Sequence, residues 1–206
     1  MKKEKNKFPF QVVYEDNHLI VVNKESGVLV QGDQTKDKCL GDYVKQYIKE
    51  KYDKPGAVFL GTVHRLDRPV SGLVIFAKTS KALERMNKMM RDHKIYKTYW
   101  AIVKRRPSVM EGRLTHWLVK DPVKNITAAF DDEKDAKGKA LKATLTFKAL
   151  GKLNDHWLLE ISPLTGRPHQ IRVQLAAMGC PIRGDIKYGF GKLNPSKRDI
   201  NLHARR

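Results

Sequence analysis

The stretch Gly61-Thr-Val-His-Arg-Leu-Asp67-Arg-Pro-Val-Ser-Gly-Leu73 runs straight into Val-Ile-Phe-Ala77. It carries the most information in the chain. A polar, turn-forming segment holding His64, Arg65, Asp67 and Arg68 is backed by an apolar strand over 72–78. A carboxylate set among arginines has its ionised form favoured by the neighbouring positive charge. Such a group can serve as a nucleophile or an electrostatic stabiliser. The plainer reading is a surface turn with an ordinary Asp–Arg ion pair, of the kind that contributes little.

Upstream, Phe10-Gln-Val-Val-Tyr14 and His18-Leu-Ile-Val-Val-Asn23 read as strands joined by the turn-forming Glu15-Asp16-Asn17. Residues 1–8 read as a flexible basic tail, leaving one domain over 9–206. Leu40, Tyr43, Val44, Tyr47 and Ile48 recur at helical spacing, which predicts an amphipathic helix over 38–52, ended by Pro55-Gly56. Downstream, Thr79 or Ser80 caps a helix whose Leu83, Met86, Met89 and Met90 read as core filling. A strand over about 97–104 follows. Residues 105–140 are polar and suggest a flexible hairpin or loop; 141–150 and 156–162 alternate as strands. A final helix starts at Pro168, buries Ile171, Leu175 and Met178, and is capped by Gly179. Most strand connections are too short for parallel crossovers, so an α+β fold on a mixed, mainly antiparallel sheet with flanking helices is expected.

Lysine plus arginine number 41 against 22 acidic residues, a formal charge of +19. Self-repulsion makes that a burden for a compact chain, and it calls for a polyanionic partner, of which nucleic acid is the usual one. A membrane is the competing anion, but there is no long basic amphipathic helix, and the longest apolar run, 73–77, is too short to span one. The charged N-terminus is no secretory signal. Cys39 and Cys180 stand alone and read as reduced thiols of a cytoplasmic protein. The seven histidines show no paired ligand spacing, so no metal is expected. Nothing demands more than a monomer.

Arg167, His169 and Arg172 fall at or just inside a predicted helix start, where positive side chains are disfavoured by roughly 0.3–1 kcal/mol each. A local rule broken in this way marks a functional place. An isolated strand tyrosine such as Tyr99 is ordinarily a core aromatic, and Lys97, two residues earlier, shares its side of the sheet.

Three motifs in order resemble the pseudouridine synthases of the RluA type. His64-Arg-Leu-Asp67 with Ser71-Gly72 resembles the family's catalytic motif, Lys97-Thr-Tyr99-Trp-Ala101 its Lys-x-Tyr-x-Ala strand, and Gly166-Arg167-Pro-His169-Gln170-Ile-Arg172 its Gly-Arg-x-His-Gln-Ile-Arg helix start. The resemblance implies a curved mixed sheet with an active-site cleft across it. It makes Asp67 the catalytic carboxylate, places Tyr99 against the target uracil, and pairs Arg172 with the carboxylate. It makes Arg65 the side chain that fills the gap left by an extruded base, and His64, Arg68, Lys97, Arg167, His169 and Gln170 further RNA-binding positions. The implied reaction converts uridines of ribosomal or transfer RNA to pseudouridine. It oxidises nothing and transfers no group, so no cofactor is expected. A non-catalytic ribosome- or RNA-binding protein and a glycosylase are the rival readings.

Departures from the family pattern are few. Cys180 and Gln174 stand where many relatives have histidine, and no room is left before residue 10 for an S4 module. Leu202-His-Ala204 resembles the start of a family strand that normally continues, which leaves a naturally short member and a truncated chain both open.

Overall fold

The structure is a computed structural model that describes residues 7–32, 36–191 and 199–206. Chain contacts divide it into two compact units, Met1–Ile95 and Tyr96–Arg206.

In the first unit, β1 (Phe10–Glu15) and β2 (Leu19–Lys24) form an antiparallel hairpin. The Asp16 carboxylate accepts the amides of His18 and Leu19 and so makes the turn. After α1 (Leu40–Lys51) and the short β3 (Gly61–Thr62), β4 (Ser71–Ala77) pairs antiparallel with both β2 and β3. Strand alternation buries Ile20, Val22 and Lys24 on one strand and Val74 and Phe76 on the other. α1 buries Leu40, Val44 and Ile48, the stripe its spacing predicts, and ends at Tyr52, ahead of Pro55-Gly56. Most of the expected basic tail, 1–6, lies outside the described residues. Lys7 is anchored on Glu50 at 2.7 Å, and Phe8 stacks on Phe10.

α2 (Ser80–Arg91) is capped by Thr79, whose hydroxyl accepts the Ala82 amide. Its methionine stripe corrects the core-filling expectation. Only Ala82 is buried, Met86 and Met90 are partly exposed, and Met89 is 39% exposed. Helical spacing reveals an apolar stripe but not whether anything covers it.

The Glu15 carboxylate, only 6% exposed, ties β1 to α1 and to the end of β4. It accepts from Lys51 at 2.7 Å, Lys78 at 2.8 Å and Tyr52 at 2.9 Å. Burial pushes its pKa up, but the hydrogen bonds from Lys51, Lys78 and Tyr52 outweigh burial and hold it at about 2, against an ordinary 4.5. A carboxyl depressed on folding stabilises fully above its unfolded pKa and loses that contribution as pH falls toward the folded value. Stability should therefore drop by about 2–3 kcal/mol between pH 4.5 and pH 2 on this account. Glu15→Gln should flatten that part of a melting-temperature profile, and an unaltered profile would remove Glu15 as the cause.

In the second unit the strand order is β10 (Leu202–Ala204), β5 (Tyr99–Val103), β9 (His156–Pro163), β8 (Leu141–Leu153), β6 (Glu111–Asp121) and β7 (Ile126–Phe130), each pair antiparallel. The segment expected as a flexible hairpin or loop is thus a long regular hairpin, β6–β7. Its inner face reads Leu114, His116, Leu118, with arginine, threonine and tryptophan between them masking the alternation. β8 runs past its expected end through a bulge at Ala149–Gly151. Ala101, Val103, Ala143, Leu145, Leu159 and Ile161 fill the core face, and Val173 of α3 (Gln170–Ala177) packs onto Leu118 and Ala143. α3 ends where expected. Gly179, at φ +80°, lets the amides of Gly179 and Cys180 close back on the carbonyls of Ala176 and Leu175. Both cysteines are free and buried. Among the described residues no helix is long and apolar enough to cross a membrane, and no three His, Cys, Asp or Glu side chains could hold a metal ion.

Candidate active site

The Asp67 turn grows out of the β3–β4 pair. The Val63 amide donates to the Ile75 carbonyl, and the Ile75 amide donates to His64 Nε2 at 3.2 Å. The His64 ring therefore takes the place of a strand carbonyl, with Nδ1 carrying the ring proton in the neutral form. Leu66 and Val70 are buried on either side of Asp67, and the Asp67 carbonyl accepts the Val70 amide at 3.0 Å. Between these anchors Asp67 is partly exposed, and Arg65, just ahead of them, is exposed.

A second segment clamps the turn from behind. Arg68 Nε donates to the Gly27 carbonyl at 3.0 Å, its Nη2 lies 2.8 Å from Asp37, and its own carbonyl accepts the Gly27 amide. Lys24, 1% exposed, ends β2 on the buried face, and its ammonium donates to the carbonyls of Glu25, Val28 and Arg68. Burial pulls the Lys24 pKa down, the charge of Asp67 pulls it back up and Arg68 lowers it again, leaving it at about 8. The ammonium is thus the buried positive charge of the Asp67 turn. Sequence reasoning missed it, although continuing the alternation Ile20, Val22 to Lys24 puts a lysine on the core face. Lys24→Met should cost about 2 kcal/mol, since buried carbonyls lose their donor. Urea denaturation checks this; an unshifted midpoint would mean those carbonyls have other donors.

In the second unit, β5 presents Tyr99, paired across the sheet with Ile161 and Ala204. Lys97 lies against the loop before α3: a Cβ built on Gly166 would sit 3.7 Å from its Nζ. Burial lowers the Lys97 pKa. The loop Thr165–His169 is held from inside by Gln170. That buried amide accepts from the Thr165 hydroxyl at 2.8 Å and the Arg167 amide at 3.0 Å, and donates to the Thr144 carbonyl. Gln170, expected among the RNA contacts, therefore has its side chain spent within the loop. Arg167 is exposed, with Nε on the Lys142 carbonyl.

His169 is the residue before α3 and takes a left-handed conformation, φ 54°. Its Nδ1 lies 2.6 Å from the Tyr188 hydroxyl, which also accepts the Thr127 amide. Arg172, in the first turn of α3, is 5% exposed, and Asp185, at 1%, grips it as a fork: Nε to Oδ2 at 2.7 Å and Nη2 to Oδ1 at 2.9 Å. The Tyr188 ring lies 5.0 Å from the guanidinium, and burial raises the Tyr188 pKa. The cost of positive side chains at this helix start is thus offset by a buried carboxylate. Asp185 and Tyr188 were not singled out from sequence, where nothing marks an aspartate thirteen residues after Arg172.

The sequence profile of the family described as RNA pseudouridylate synthase matches residues 18–177. Ribosomal large subunit pseudouridine synthase C of Rickettsia conorii is 34% identical over 194 residues, covering 94% of this chain and 61% of the relative. The tRNA pseudouridine synthase C of Vibrio parahaemolyticus is 33% identical, covering 94% of this chain and 82% of the relative. Human RNA pseudouridylate synthase domain containing 4 superposes with a TM-score of 0.76 at 24% identity, covering 94% of this chain and 82% of that one, and shares the fold. The chain belongs to the RNA pseudouridylate synthase family, of the RluA type. It spans 61% of the length of the first of these relatives.

Proposed function

We propose that this chain converts uridines of ribosomal or transfer RNA to pseudouridine, with Asp67 as the catalytic carboxylate and Tyr99 and Arg172 as its partners. Family membership supports the reaction class, and the relatives' names cover both kinds of RNA. The observation that carries the reading is the Asp67 turn itself. It is a partly exposed carboxylate on a segment fixed by two buried apolar anchors and served by a buried ammonium.

The reaction breaks the N1–C1′ bond, turns the uracil, joins C5 to C1′, and sheds the C5 proton while N1 takes up a proton in its place. Positive charge builds on the ribose as the first bond breaks, and a fixed carboxylate meets it where it develops. Nothing is added to or removed from the nucleoside, so the reading requires neither cofactor nor metal. Tyr99 serves as the platform for the uracil. Arg65 enters the stack that the base vacates, which costs a few kcal/mol to open. Lys97, Arg167 and His169 take phosphates. His64, Arg68 and Gln170, whose side chains also bond within the chain, hold the loops that carry these contacts beside their expected place at the RNA. The protein would act as a cytoplasmic monomer.

Release of tritium from RNA labelled at uridine C5 tests the proposal. Wild type should release it and Asp67→Ala should not. Tight binding of bulk ribosomal and transfer RNA without release would make the chain an RNA binder, and free uracil in the supernatant would make it a glycosylase. Mapping pseudouridine in RNA from a deletion strain then names the target.

A further inference from the structure

β5 begins at Tyr99 and ends at Val103, and the next three residues are Lys104, Arg105 and Arg106, all exposed. Backbone bonds fix this corner. The Lys104 amide donates to the Pro181 carbonyl, Val103 bridges to Ile182, and the other edge of Val103 pairs with Trp157 of β9. Three partly exposed rings gather around the cations. The Arg106 guanidinium lies 5.5 Å from the centre of the Trp157 ring. Lys104 Nζ lies 5.9 Å from that of Phe190, and His156 stacks on Phe190 at 6.1 Å with the planes 21° apart.

The charge here is uncompensated. Glu15, Glu50, Asp37 and Asp185 each hold a lysine or arginine elsewhere in the chain. Among the described residues none of Lys104, Arg105 and Arg106 pairs with a carboxylate. Glu111 follows Arg106 in the sequence and Asp155 precedes His156, and among the described residues neither forms an ion pair with the three cations; Lys152, which pairs with Trp157 across β8, adds a further positive charge. Within the fold these charges meet aromatic rings and no carboxylate among the described residues, and the mechanism above makes no use of them.

Cations that follow a backbone, interleaved with rings on which bases can stack, are what sequence-tolerant recognition of single strands requires. Paired bases hide their faces, so a duplex could use the charges but not the rings. We infer that the end of β5 remote from Tyr99 is a second RNA-contacting surface, which takes an unpaired stretch of the substrate RNA. Trp157 and Phe190 act as stacking platforms, and Lys104, Arg105 and Arg106 as phosphate contacts. Five residues of strand separate it from Tyr99, roughly 17 Å, or about five nucleotides at a stacked rise of ~3.4 Å. Only the identity of the bound strand as substrate rests on the proposed function; binding itself does not.

Fluorescence anisotropy with an unstructured 20-nucleotide RNA tests the inference on the whole chain. Lys104→Gln/Arg105→Gln/Arg106→Gln should weaken binding about tenfold at low salt. It should also lower the slope of log K against log salt by about 2, near 0.7 per lost contact. Trp157→Leu should weaken binding about fivefold with the slope unchanged, and circular dichroism melting confirms that both variants fold. Neutralising Lys124, Lys134 and Lys139 is the control for loss of bulk charge. An equal loss in that control, an unchanged affinity in the first variant, or an equal loss on duplex RNA would each overturn the assignment. Tritium release from a short substrate should be the same in wild type and both variants. Its absence in all of them would sink the proposed catalysis while leaving the binding result standing.

Discussion

Asp67→Asn should abolish tritium release, lowering the single-turnover rate by about a thousandfold or more, while RNA affinity changes by less than about threefold. Losing one preorganised group aimed at transition-state charge costs about 10²–10³ in rate, and losing a nucleophile costs more. Asparagine fills the same volume and leaves the bond from the Val70 amide to the residue 67 carbonyl intact, so the turn should keep its shape. The side effect falls on Lys24. Without its neighbour's charge the ammonium faces only burial and Arg68, both of which favour the neutral amine. A lysine whose folded pKa is depressed makes stability rise with pH between its folded and unfolded values, because the unfolded chain binds more protons there. In wild type that window opens at about 8; in the variant it should open lower. Urea denaturation at pH 7 and pH 9 reads the shift. A variant that keeps a tenth of the rate would remove Asp67 from the chemistry.

The largest loss of stability is expected from Asp185→Ala, about 3–5 kcal/mol, because the substitution leaves the Arg172 guanidinium buried without the carboxylate that grips it. Replacing both members, Arg172→Met with Asp185→Leu, should recover much of that stability, since a buried ion pair is worth little against well-packed apolar side chains. On the proposed assignment of Arg172 as partner of the catalytic carboxylate, activity should not return, because Arg172→Met removes the guanidinium. A urea titration of the three variants beside a tritium assay separates the two effects. A loss under about 1 kcal/mol for Asp185→Ala would mean that water or another acceptor takes over.

Much of the architecture was legible because it rests on local rules. The hydrophobic spacing of α1, the hydroxyl cap of α2 and the glycine stop of α3 are short-range signals, and the structure has them where the spacing puts them. The β6–β7 hairpin was half legible: a hairpin was one of the two readings of its polar stretch, but its alternation is blurred by a histidine on the inner face and a tryptophan on the outer one. The methionines of α2 misled because periodicity gives orientation without coverage. Of the candidate site, the residues in the motifs could be read, whereas Asp185 and Tyr188 could not, and the alternation that buries Lys24 did not show what it serves. Their roles arise from contacts across long stretches of chain, such as the separation of 44 residues between Lys24 and Arg68. Gln170 shows the converse. A motif position that invites a ligand-facing role turns out to be the peg on which its own loop hangs.

The reach of Lys24 bears on protein engineering. The ammonium behind Asp67 arrives from a different strand, so the short segment around Asp67 is no transplantable cassette. Moving it to a foreign scaffold would strand a carboxylate without its counter-ion and the Arg68 carbonyl without its donor. A graft that works must carry the lysine-bearing hairpin along with it.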